Sequence, residues 1–119
     1  MASAKKRCLS GNTYGLGIQI AATSTPGTLV HTAIAGTTAG TVDEIWLWAQ
    51  NNHTSDVVLT VEFGSHDHDY NIIVTIPFKS GLVPIVPGFI LQNELDVNAF
   101  AATTDVVCVH GFVNTITDV

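Results

Sequence analysis

Residues 42–63 read VDEIWLWAQNNHTSDVVLTVEF, and the fold turns on this stretch. Val57, Leu59, Val61 and Phe63 alternate with Val58, Thr60 and Glu62, the period of two of a half-buried strand. The strand before it differs. Ile45, Leu47 and Ala49 point one way and Trp46 and Trp48 the other, so both of its faces are apolar. A polar turn, Asn51 to Asp56, joins the two, with side chains that hydrogen-bond their own backbone. A sheet apolar on both sides needs cover on its second face, and the chain has little left to supply it. One set is therefore expected inside and the other against a neighbouring copy; Ile45, Leu47 and Ala49 are assigned the interior and Trp46 and Trp48 the neighbour, an assignment the alternation alone leaves open.

Outward from this hairpin the pattern stays β. A strand is expected over Leu29–Ala35, before the turn Gly36 to Gly40, and another at Ile72, Val74 and Ile76, ended by Pro77. Leu82 to Gly88 reads as a short strand stopped by a Pro87-Gly88 turn. Phe89–Leu91, Leu95–Phe100 and Val106–Val113 follow, the last with Val107, Val109 and Val113 on one face and Val106, Cys108 and Phe112 on the other. About eight short strands with no helical periodicity predict an all-β protein, a single small β-sandwich of jelly-roll type. An immunoglobulin-like sandwich is the alternative, but its Cys…Trp…Cys spacing is absent. The sandwich is assigned to residues 29–119. Residues 1–28, rich in Gly, Ser and Thr, are read as an extended N-terminal arm. Leu16, Ile18 and Ile20 alternate there, so Ile18 and Ile20 are expected to add a short docked strand to a neighbour.

A chain of 119 residues is one domain and long enough to bury a core without disulfide or metal. Only 12% of it is charged while 46% is apolar, which favours an oligomer or a component of a larger assembly. Lys5, Lys6 and Arg7 are three of the four basic residues, and all ten acids lie from Asp43 onward. An acidic body argues against nucleic acid, whose phosphates need a basic face. The basic tip is either a solvated terminus or an arm that docks on an acidic neighbour. No apolar run is long enough for a transmembrane helix, and no membrane partner is expected. The residues after Arg7 make a poor signal peptide, and Cys8 and Cys108 read as reduced thiols of a protein made in the cytoplasm.

Catalytic motifs are sparse. His66-Asp67-His68-Asp69, if extended, puts two imidazoles on one side, where His66 and His68 could share a metal. Its plainer reading is a polar hairpin tip, and no metal or cofactor is expected. The cupin metalloenzymes share Gly64 and His66-Asp67-His68 with this chain, but Ile72 and Ile73 stand where their glutamate belongs. No Gly-x-Ser-x-Gly elbow occurs. Cys108 and His110 share a strand face, an arrangement commoner for a core thiol than for a nucleophile. The acid pairs Asp43-Glu44 and Glu94-x-Asp96 flank strands, where solvated carboxylates block edge pairing. The chain is not expected to be an enzyme.

Several segments together resemble the small virion proteins of tailed bacteriophages that decorate or cement the head. They are Ala22-Thr23-Ser24-Thr25-Pro26-Gly27-Thr28, Val30-His31-Thr32-Ala33, and Asp43-Glu44-Ile45-Trp46-Leu47-Trp48-Ala49 with its Asn51-Asn52 turn. Val86-Pro87-Gly88, Ala99-Phe100-Ala101-Ala102 and Gly111-Phe112-Val113-Asn114 complete the set, so the likeness spans most of residues 20–116. The resemblance implies a homotrimer on the outer surface of a capsid, docked by its arm on the major capsid protein. Lys5, Lys6, Arg7, Ile18, Ile20, Trp46 and Trp48 are the expected contact residues. The alternative is a trimeric receptor- or carbohydrate-binding module of a fibre or tail, using Trp46 and Trp48 or the His66 to Asp69 loop.

Overall fold

The structure, a computed structural model, describes residues 2–118; Met1 and Val119, the outer ends of the two expected segments, lie outside them. The described residues form nine strands: β1 (Ala2–Cys8), β2 (Ile18–Gln19), β3 (Thr28–Thr32), β4 (Val42–Asn51), β5 (Val57–Phe63), β6 (Asn71–Ile76), β7 (Val83–Leu91), β8 (Asp96–Ala101) and β9 (Val107–Asp118). One sheet has the order β1-β9-β4-β7, with β2 joining β9 beyond the end of β1; the other has the order β3-β8-β5-β6. Every pairing is antiparallel and the pairs nest. β1 and β2 lie on β9, β3 on β8, β4 on β7 and β5 on β6. The chain is thus one long hairpin rolled up and closed by the β4–β9 and β5–β8 pairings. This is the strand order of a jelly-roll β-sandwich.

Alternation decides which residues meet between the sheets. Ile45, Leu47 and Ala49 of β4 face Leu59 and Val61 of β5 across a core completed by Val97, Ala99, Val107, Val109 and Val113. Burying one such Val, Leu or Ile side chain is worth roughly 1.5–3 kcal/mol, so a dozen of them dominate the favourable side of folding.

Three boundaries differ from expectation. The sandwich begins well before residue 29, because Leu9, Ile18 and Ile20 lie in the core, with Ile18 3% and Ile20 0% exposed. Ile20 N–H donates to Val107 O, and its own carbonyl accepts from Asp105 N–H. Ile18 and Ile20 thus close the open edge of their own sheet and are not available to a neighbour. Only β1 is exposed along its whole length.

Pro87-Gly88 does not end a strand: β7 runs through it, with register shifts opposite Ile45/Trp46 and Leu47/Trp48. Gly88 takes φ +82°, and a Cβ there would stand 2.7 Å from the Trp46 ring, so a glycine bulge absorbs what a turn was expected to do. Finally, β9 continues past Val113 to Asp118 because β1 pairs with it throughout that stretch. β4 stops pairing at Ile116, so the tip of the β1–β9 ribbon projects from a molecule 49 Å long and 21 Å thick.

Candidate interaction surface

The outer face of the β1-β9-β4-β7 sheet carries an aromatic cluster. Trp46 and Trp48, two residues apart on β4, share that face with Phe112, which pairs with Trp46 from β9. The three ring centroids lie 6.4 Å (Trp46–Trp48), 6.3 Å (Trp46–Phe112) and 6.0 Å (Trp48–Phe112) apart, with interplanar angles of 16°, 16° and 26°. Glu44 anchors one end, its Oε1 accepting from Trp46 Nε1 at 2.7 Å and from Asn114 Nδ2 at 3.0 Å. The Asn114 amide first, and the Trp46 indole second, hold the Glu44 carboxyl below its usual range. Lys6 places its ammonium 4.7 Å from the Phe112 centroid, a cation–π contact. Both indoles are therefore half-buried by their own chain, and part of the cover expected from a neighbour comes from Phe112, Lys6 and the Gly88 bulge.

Exposed apolar side chains recur elsewhere. Val58 and Ile73 stand on the outer face of the second sheet. At one end of the sandwich a cleft of about 490 Å³ is lined by Phe63, Gly64, Ser65, Tyr70, Leu91 and Leu95. Phe89, more than half exposed, meets Phe63 edge-on beside it.

The expected basic residues lie on β1 and divide by face. Lys6 shares the outer face with the aromatic rings. Lys5 and Arg7, opposite Thr115 and Val113, face the other way. With Ser3, Ile34, Thr115 and Thr117 they line a second cleft of about 280 Å³.

The His66–Asp69 segment is not extended, so the geometry that would have aligned His66 with His68 does not arise. Asp67 accepts from Asp69 N–H and starts a single 3-10 turn, His68–Tyr70. His66 Nδ1 lies 3.2 Å from Glu62 Oε2, whereas His68 lies between Asp67 and Asp69 at 3.6 and 3.4 Å. Asp67, His68 and Asp69 cluster in solvent without His66. Cys108 and His110 do share a face, beneath Gly17, where a Cβ would meet both side chains. Burial pushes the Cys108 thiol up, opposite to what a nucleophilic thiolate needs.

Two buried carboxylates were not anticipated as such. Asp43 lies inside with His31, and Thr115 Oγ1 donates to its Oδ1 at 2.7 Å. Glu62 is on the outer face of β5 yet fully buried, because residues 25–27 fold over it. Its oxygens accept from Thr25 Oγ1 at 2.5 Å and from Gly27 N–H at 2.6 Å. Burial alone would raise the Glu62 carboxyl. Thr25, Gly27 and His66 more than offset that and hold it below its ordinary value. Both carboxylates are saturated by the chain itself and act as internal fasteners.

Comparison with known proteins finds no matching family model, no similar curated protein and no similar solved structure.

Proposed function

We propose that this protein is a structural virion component, a decoration or cement protein that stabilises a bacteriophage head by self-association and by docking its β1 arm on the major capsid protein. The observation that carries the reading is the Trp46–Trp48–Phe112 cluster on the outer face of a jelly-roll sheet, beside an arm exposed on both faces. Aromatic residues concentrate at the cores of subunit interfaces, and jelly rolls recur in viral shells. The protein would act as a trimer on the outer capsid surface, by burying area rather than by chemistry. Mass spectrometry of purified particles from the source phage tests this. A stoichiometric copy number in heads supports the reading, and absence from heads refutes it.

A second reading, a carbohydrate- or receptor-binding module, is favoured by one feature. Three near-parallel rings beside the Glu44 carboxylate and Asn114 amide combine a stacking surface with polar groups at its edge. Replacing Trp46 and Trp48 by Ala separates the two. Loss of glycan binding with the oligomer intact supports the module, and dissociation supports the interface.

A further inference from the structure

We infer that the cleft between β1 and Ile34 is a carboxylate-binding site, which seats an extended acidic segment of a partner protein laid along the free edge of β1. This deepens, and rests on, the docking role proposed above.

Among the described residues β1 pairs along one edge only, with β9. Its other edge therefore offers unpaired N–H and C=O groups, which take an added strand. Lys5 and Arg7 sit two residues apart on the cleft face and make no ion pair among the described residues. The nearby buried acid cannot serve them: Asp43 already accepts from Thr115, from Ile34 N–H and from His31. The hydroxyls of Ser3 and Thr117, 3.0 Å apart, line the same cleft and add polar contacts. Side chains on an incoming strand repeat on one face every second residue, so a Glu-x-Glu or Asp-x-Asp spacing matches Lys5 and Arg7. Arg adds a fork that holds a carboxylate in two places.

Charge also selects the occupant. An antiparallel β1–β1 pairing centred on Lys5 would set Lys5 against Lys5 and Ala4 against Lys6, concentrating like charge across the seam. The remaining edge strands, β2 (IQ), β3 (TLVHT), β6 (NIIVTI) and β7 (VPIVPGFIL), contain no Asp or Glu, so a second copy has no acidic edge strand to offer. Nucleic acid would meet a body of net charge −6 behind a strip of three cations. An acidic protein segment remains.

The test uses the full chain and a ten-residue peptide alternating Glu and Thr, with its Gln-Thr counterpart, by calorimetry at low salt. The Glu peptide should bind about tenfold or more tightly than the Gln peptide. Lys5→Gln with Arg7→Gln should abolish that preference, while Lys6→Gln, on the opposite face, should leave most of it. Equal binding of the two peptides would overturn the inference, as would a Lys6→Gln loss as large as that of the double variant. Tighter binding of a DNA oligonucleotide than of the Glu peptide would also overturn it, as would a change of oligomeric mass in the double variant. If the chain is found in heads and the double variant incorporates at the wild-type copy number, this inference fails while the decoration role stands. Absence of the wild-type chain from heads removes the decoration role instead.

Discussion

His31 and Asp43 meet in the interior, Nε2 to Oδ2 at 2.8 Å, with each side chain 2% exposed. His31 Nδ1 accepts from Ser10 N–H at 3.0 Å, which assigns the ring proton to Nε2 and its donation to Asp43. Ile34 N–H donates to the same Asp43 oxygen, and Thr115 to the other. One carboxylate thus ties β3, β4, β9 and the entry of the chain from β1 into a single node.

Asp43→Ala should be among the most destabilising single changes. It leaves His31, Ile34 N–H and Thr115 without their acceptor in a dry site, at a cost of about 3–5 kcal/mol. Asp43→Asn keeps one acceptor oxygen and should cost less. Urea unfolding of the two variants, with unchanged m-values, measures the difference.

Glu62 predicts an acid sensitivity with a definite sign. Its folded carboxyl is held below its unfolded value, so the unfolded state binds the proton more readily. The contribution is complete above the ordinary carboxylate range and is lost as pH falls through the lowered folded value. Thermal unfolding against pH should show wild type losing more stability on acidification than Glu62→Gln, while the variant is less stable near neutrality. Parallel curves would contradict the assignment.

Gly88→Ala should disturb the aromatic face through the backbone. The new methyl must enter a space 2.7 Å from the Trp46 ring, at a φ of +82° that L-residues rarely adopt. A loss of about 1–3 kcal/mol is expected, together with a changed tryptophan emission spectrum, since Trp46 must move.

Leu47→Ala, at the centre of β4 and 1% exposed, should cost about 2–5 kcal/mol by chemical unfolding. Val58→Thr, on the exposed outer face of the second sheet, should change stability by less than about 0.5 kcal/mol.

Most of the sandwich is legible in the alternation of its strands. The inward set Ile45, Leu47 and Ala49 is read correctly because period two leaves no other choice once one residue is placed. The same rule puts Asp43 inward, so its burial is written in the strand, although a carboxylate beside a turn reads more naturally as solvated. Glu62 is different. It points outward by alternation, and a distant crossing segment, Thr25 to Gly27, covers it, with His66 at 3.2 Å beside it. No local pattern carries that.

The C-terminal half of the expected arm is misread for a related reason. Its glycines interrupt any regular element, yet two isoleucines suffice to close a sheet edge when β9 supplies the hydrogen bonds. The aromatic face is read as one surface from Trp46 and Trp48, but Phe112 and Lys6 join it from strands remote in sequence. Their meeting is a property of the rolled topology.

The role proposed for this jelly roll is assembly through its outer surfaces. Multi-angle light scattering on the purified chain at micromolar concentration tests it most directly. A mass three times that of a single chain, falling to one when Trp46 and Trp48 are replaced by Ala, is the predicted result. A strictly monomeric wild-type species across the concentration range would contradict it.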